Sequence, residues 1–381
     1  MKILFINHSS SRTGAPLILL YFMEWLKKNH PEVNFDVLSM GGGQLSSEID
    51  SLCTNHFKIY KKKKLLSRIG RFILRKLKLI RLFNSVIYDY EIKNVAKEDY
   101  DIIYNNTVVF IEIATLIKKF SQNSKLILHV HELRETIQSY VPQISNLKQK
   151  VDLTIAASET VKKDLIDYYQ FDLDKTITIH EFSKFHTNID TRLKLDLRKI
   201  TIGGIGLVQK RKGVDLFIKA CSAIKEINPS IHFSFQWLGS ISEENKKRYN
   251  KLIEELGIAK EFEFLGQLNN PNEFLKNLDV FWMTSREDPF PLVCIEAANN
   301  GVPILMFNKT TGTQEIINDL DYLIASDLNP KDLAHKTNEL INNQELYLKT
   351  VKILKERFSM FTVDNQSKKI WSAIKEVSED L

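Results

Sequence analysis

Short apolar runs alternate with amphipathic stretches almost from one end of this chain to the other, and that cadence leaves few folds open. Runs at 2–7, 34–39, 101–104, 125–130, 153–157 and 176–179 read as strands. The 15–28 stretch reads as a helix, and so does the one that follows Ser158, a good N-cap. Strands alternating with helices build parallel sheets wrapped by helices. The cadence lapses between about Ser183 and Arg198, a polar stretch read as a linker, and resumes at 200–206, 231–238, 262–265, 279–283 and 302–307. At 381 residues and 43% hydrophobic content, the chain is too long for one compact core and apolar enough for two. The expectation is two βα domains, residues 1–183 and 199–363, with a cleft where their strand ends face each other.

The net charge of +6 is a poor average. Between Ser51 and Tyr88 stand eleven Lys or Arg and no Asp or Glu, so the positive excess is local and the rest of the chain is net acidic. Leu65, Ile69, Phe72, Leu77, Ile80 and Phe83 recur there near helical spacing, while Lys64, Arg68, Arg71, Arg75 and Lys78 fill another face. Residues 58–83 thus read as a basic amphipathic docking surface for an anionic membrane, with a solvated helix packed on its domain as the plainer alternative. Nucleic acid is not expected as a partner, because the interleaved residues are mostly aliphatic and offer little for base stacking. Cys53, Cys221 and Cys294 have neither disulfide-framework nor zinc-site spacing. The first residues are too short an apolar run for a signal-peptide core, and no run approaches the ~20 residues of a spanning helix. A cytoplasmic protein, peripheral at the inner face of the membrane, is expected.

The richest segment is 285–301, SREDPFPLVCIEAANNG, just after the strand-like LDVFWMT. Pro289 and Pro291 end regular structure before Leu292, so a helix can start there with its first N–H groups unpaired. Those donors and the positive end of the helix dipole favour an anion. Glu296, in the early turns, is suited to accept hydrogen bonds from the vicinal hydroxyls of a ribose, and Asp288 on the turn to do the same for a sugar ring. The plain alternative is a helix start whose acids complement the dipole. In 202–216, IGGIGLVQKRKGVDL, Arg211, Lys212 and Gly213 precede another helix, and a cation pair there can neutralise a diphosphate. The dinucleotide fingerprint is incomplete, since position 209 is Gln, and the P-loop order is missing.

The first half adds two weaker candidates. In NHSSSRTGAPLILL, Gly14 allows close approach of another group where a first strand gives way to a helix. In LILHVHEL, His129 reads as structural and His131, at the strand's carboxyl end, as the one that touches substrate. No third ligand accompanies the HxH pair, and the D-x-D pairs starting at Asp99, Asp172 and Asp319 sit at no convincing strand end, so no obligatory metal is expected.

Together these segments resemble the family 4 retaining glycosyltransferases of GT-B fold, in which two Rossmann-like domains face each other across a cleft. The resemblance covers nearly the whole chain and rests on RKG at 211–213, the WLGS and FLGQ strand ends, SREDPFPLVCIEA, Thr311-Gly312-Thr313-Gln314-Glu315, and the TGAP and HVHEL segments. It implies that the second domain holds a nucleotide-diphosphate sugar and the first receives the acceptor, with a last helix, about 364–381, returning to the first domain. By that resemblance Arg211 and Lys212 grip the diphosphate, Glu296 the ribose and Asp288 the donor sugar. Backbone amides of Phe290, Pro291, Leu292 and Val293 assist, Gly14 borders the phosphate, and His131 reaches the sugar and acceptor side. The chain departs from the family pattern in having Asp288 where Glu is usual, Leu207 where a basic residue is common, and IHEFS in place of an Asn-Gly linker.

The function so implied is transfer of a sugar from a nucleotide-diphosphate donor to a hydroxyl of a glycan or lipid-linked acceptor, with retained anomeric configuration and without a cofactor, in surface polysaccharide synthesis. The alternatives are a nicotinamide-dependent oxidoreductase, which would explain the βα cadence, and a nucleotide-sugar epimerase of the same fold.

Overall fold

The computed structural model describes residues 1–59, 90–121, 123–185, 195–268 and 271–379. The basic stretch at 58–83 falls almost entirely outside them. The chain forms two compact units: Met1–His180 with Val363–Leu381, and Glu181–Thr362.

Among the described residues, unit 1 carries a parallel sheet of β1 (Lys2–Asn7), β2 (Asn34–Ser39), β3 (His56–Lys58), β4 (Ile102–Asn105), β5 (Lys125–Val130), β6 (Leu153–Ala156) and β7 (Thr176–Thr178), in the order β3-β2-β1-β4-β5-β6-β7. Unit 2 carries β8 (Lys199–Ile205), β9 (His232–Leu238), β10 (Phe262–Gly266), β11 (Val280–Met283), β12 (Ile304–Phe307) and β13 (Ile324–Ala325), also parallel, in the order β10-β9-β8-β11-β12-β13. Central strands of such sheets are covered on both faces, which is why KILFIN and ILMF are nearly continuous apolar runs and almost wholly buried. The edge strands β3 and β13 have three and two residues, too few for any period to show in the sequence.

The helices obey the same rule with a period of 3.6. In α1 (Gly14–Asn29) Ile18, Leu19, Phe22, Met23 and Leu26 face inward; in α2 (Val214–Ile227) Val214, Phe217, Ile218 and Cys221 do. The last helix, α3 (Val363–Glu379), packs on α1 within unit 1 and buries Ile370, Trp371 and Ile374. The Trp25 indole N–H donates to Asp364 Oδ1 at 2.9 Å, fixing the register of the two helices. Burial of each such large side chain contributes about 1.5–3 kcal/mol.

Each sheet has a point where its strand order reverses, between β1 and β4 in unit 1 and between β8 and β11 in unit 2. Loops leaving the carboxyl ends of strands at such a point bound a crevice that ligands use. In unit 2 those loops are 206–213 and 284–291, the two segments that carry Arg211, Lys212 and Asp288.

Candidate active site

The loop after β8 is drawn onto the loop after β11 by its backbone. Gly213 has φ +68°, and an added Cβ would overlap the carbonyl oxygen of Thr284. Only glycine can cap the 210–212 turn and lie this close to the end of β11. Gly206, with φ +147°, gives the aliphatic stem of Lys212 a path across it, since that stem lies 3.1–3.2 Å from where a Cβ would be. Arg286 locks the arrangement: its N–H donates to Arg211 O at 2.8 Å, its Nη1 to Lys210 O at 2.6 Å, and its guanidinium forks onto Asp215 at 2.8 and 2.6 Å. Bidentate geometry makes this a strong pair, and it holds the Asp215 carboxyl below its ordinary range against the opposing effect of burial.

The cations converge on one carboxylate. Lys212 Nζ pairs with Asp288 Oδ2, Arg211 Nη1 lies 3.7 Å from the same oxygen, and Arg211 also donates to Glu287 O at 2.7 Å. Ser285 Oγ is 3.4 Å from Asp288 Oδ2. Asp288 is 7% exposed, and its backbone is stitched to the 310–312 turn, its N–H donating to Thr310 O at 2.9 Å and its carbonyl accepting from Gly312 N–H at 3.2 Å. The sequence reading gave Asp288 to a sugar hydroxyl; here its carboxylate is the counter-ion of Lys212.

The helix α4 (Leu292–Asn299) starts at Leu292 behind an N-cap, Pro291, that offers no side-chain cap. Cys294 N–H, donating to Pro291 O at 3.0 Å, makes the first backbone bond of this turn. One of the assignments to backbone amides needs correction. Pro291 has no N–H and cannot donate. The Phe290 side chain is fully buried, its ring packed on Phe361 at 5.2 Å, so it belongs to the core. Leu292 and Val293 are the first-turn positions of the helix, where N–H groups point out of its end. Glu296, one turn further on, accepts from Ser183 Oγ at 2.6 Å. Burial pushes its carboxyl up to about 6, a rise that the Ser183 hydroxyl opposes. Glu296, Asp288 and Lys212 all act on the buried Cys294 thiol, which places the three charges around one side chain.

In unit 1, His131 follows β5 and is 8% exposed, its ring 3.9 Å from that of His129. Asn106 Nδ2 donates to Ala15 O at 2.8 Å, so its Oδ1 faces His131 Nε2 at 3.1 Å and accepts the imidazole proton. This chain ties His131 to the first turn of α1, where Gly14 stands with open space around any added Cβ. The fold itself therefore gives no steric reason for glycine at 14. His129 Nδ1 and Tyr104 Oη share a 2.6 Å hydrogen bond in the core. His8, at the carboxyl end of β1, is pushed down to about 4 by burial and by the neighbouring His131. Among the described residues no group of three His, Cys, Asp or Glu side chains is placed to hold a metal ion, and no helix is long and apolar enough to cross a membrane.

Comparison with solved structures identifies the fold. Anabaena HepE, crystallised with UDP and glucose, superposes with a TM-score of 0.78 at 18% identity, covering 98% of this chain and 99% of that one. The architecture is GT-B. The family model of Glycosyl transferases group 1 matches residues 185–357 of this chain, nearly all of the second GT-B unit. An uncharacterised glycosyltransferase of Haemophilus influenzae is 26% identical over 175 residues, 46% of this chain and 48% of its own length. The capsular polysaccharide biosynthesis glycosyltransferase CapH of Staphylococcus aureus is 23% identical over 360 residues, 91% of this chain and 92% of its own. The match spans about half the length of the first two curated relatives.

Three parts of the site went unread in the sequence. Arg286 stands inside the SRED segment, but its partners, Lys210 O and the Asp215 carboxylate in the first turn of α2, are more than 70 residues earlier. Ser183 sits in the polar stretch taken for a linker. The 310–312 turn matched the family order, yet nothing local says that it pairs with Asp288.

Proposed function

We propose that this protein is a retaining glycosyltransferase that moves a sugar from a nucleotide-diphosphate donor to a hydroxyl of a glycan or lipid-linked acceptor. The observation that carries this is the gathering, at the strand reversal of unit 2, of Lys212 and Arg211 on Asp288 beside the uncapped start of α4, with Glu296 one turn in. As the anomeric centre becomes cation-like, negative charge builds on the departing diphosphate. Two cations and first-turn N–H groups are suited to receive it, and such stabilisation is the main demand of the step. They leave no task that requires a divalent cation. On donor arrival the diphosphate competes with Asp288 for Lys212, which frees the Asp288 carboxylate toward a sugar hydroxyl. Glu296 accepts from the ribose hydroxyls, Leu292 and Val293 donate to phosphate, and in unit 1 Gly14 gives close approach while His131 serves the acceptor side.

The relatives agree with this reading: HepE was crystallised with UDP and glucose, and CapH is named for capsular polysaccharide biosynthesis. We place the reaction in surface polysaccharide synthesis on that likeness. The oxidoreductase alternative is set aside, since the matched family is one of glycosyl transferases and Gln209 stands where a dinucleotide fold needs glycine.

The test is incubation with a panel of nucleotide-diphosphate sugars and hydroxyl acceptors, reading the product's anomeric proton coupling by NMR. A product whose anomeric configuration equals the donor's supports the proposal. Inversion, or turnover of the donor sugar to an epimer without acceptor, overturns it.

A further inference from the structure

We propose that Ser183 is the positioning residue of the donor ribose site: its hydroxyl holds one oxygen of Glu296 and so presents the other to the vicinal hydroxyls. The inference rests on the reading of Glu296 as the ribose acceptor and adds what orients it.

Ser183 is 2% exposed, and its Oγ lies 2.6 Å from Glu296 Oε1. Among the described residues no other side chain donates to the Glu296 carboxylate, since Asn300 Nδ2 bonds its backbone carbonyl at 2.8 Å, so Oε2 has its lone pairs for a ligand. The serine is itself fixed. Its N–H donates to Phe361 O at 3.3 Å and it bridges Thr362, so the segment on which the chain enters unit 2 is registered at Ser183 against the one on which it leaves. The Phe361 ring in turn packs on Phe290, one residue ahead of the N-cap of α4. Ser183 thus sits on a frame tied to the start of the helix that carries Glu296.

A glutamate has three rotatable side-chain bonds, and ordering them on ligand binding weakens affinity. A fixed hydroxyl donor removes that loss before the ligand arrives. It also favours the carboxylate over the acid in a half-buried place that favours the acid. The other charges around the group are Lys212 and Asp288, which share the surroundings of Cys294 with it, and Glu181 and Lys184, which flank Ser183 in the chain. Because Ser183 acts on the ribose-facing carboxylate alone, its effect should be on discrimination between ribose and deoxyribose.

The experiment titrates wild type, Ser183→Ala, Ser183→Gly, Ser183→Thr and Glu296→Gln with UDP, GDP, ADP and their 2′-deoxy counterparts. Removing the hydroxyl should weaken the preferred ribonucleotide by about 3–10-fold, the size of one lost hydrogen bond, and leave the deoxy form nearly unchanged. With the donor sugar, KM should rise while kcat stays within about twofold, and the acid limb of kcat/KM should move to higher pH, because the anion has lost its donor. Ser183→Thr, which keeps a hydroxyl, should restore the preference. If Glu296→Gln abolishes the ribose preference while Ser183→Ala and Ser183→Gly both leave it and the acid limb untouched, the role of Ser183 is wrong. If Glu296→Gln itself leaves the preference intact, the ribose reading of Glu296 fails, and this inference with it.

Discussion

Replacing Glu296 by Gln should make the empty protein more stable and its nucleotide binding worse. Burial raises the carboxyl from 4.5 to about 6, so between those values the native state holds a proton that the unfolded chain has lost. Stability then falls as pH rises through that window, and the full loss is present above the folded pKa. That rise corresponds to about 2 kcal/mol at pH 7.5, shrinking to about 0.8 kcal/mol at pH 5. Gln keeps the shape, lets its oxygen accept from Ser183 and removes the buried charge. Glu296→Gln should therefore unfold later in urea at pH 7.5 by about 1–2 kcal/mol, with the advantage fading toward pH 5. In the same protein, affinity for a ribonucleoside diphosphate should fall about tenfold, because a neutral amide accepts hydroxyl hydrogen bonds less well than a carboxylate. A variant less stable than wild type at pH 7.5, or a difference that does not change with pH, would refute the reasoning about burial. Unchanged affinity would refute the reasoning about ribose.

Lys212→Met leaves Asp288 almost buried with Arg211 at 3.7 Å as its remaining cation, and should cost about 3 kcal/mol in urea unfolding; Asp288→Asn added to it should recover part of that, whereas strict additivity would mean the pair is not coupled. Gly213→Ala puts a Cβ into Thr284 O at φ +68° and should destabilise by about 3 kcal/mol or more, while Gly14→Ala, facing open space, should change stability by less than about 0.5 kcal/mol, both read by urea unfolding. Arg286→Lys loses the fork onto Asp215 and the guanidinium bond to Lys210 O, so donor KM should rise about tenfold, a change read by initial rates. Sugar transfer should persist in EDTA within about twofold, measured on enzyme that has been dialysed against chelator.

Much of the scaffold could be read from side-chain period, because central parallel strands are buried on both faces and announce themselves. The bounds of β1, β2 and β5 in the structure are those the apolar runs suggest. The start of α4 at Leu292 was legible for a local reason too, the two prolines ahead of it. Edge strands β3 and β13 were not, since two or three residues carry no period. At the site, residue type was legible and partnership was not. Arg211, Lys212, Asp288 and Glu296 stand out as cations and acids at loop and helix starts, but that Asp288 is the counter-ion of Lys212, 76 residues away, depends on Gly213 bringing two loops into contact. Pro291 was drawn into the site by position alone, although it has no N–H to donate. Ser183 was hidden because a serine in a polar stretch looks like any other; its partner is 113 residues further along.

The central claim is that Lys212 and its neighbours in unit 2 bind a nucleotide diphosphate. Isothermal titration of UDP, GDP and ADP into wild type and Lys212→Ala tests it most directly. One of the three should bind wild type with a micromolar Kd and Lys212→Ala at least tenfold more weakly. Binding of none, or equal affinity for both proteins, contradicts it.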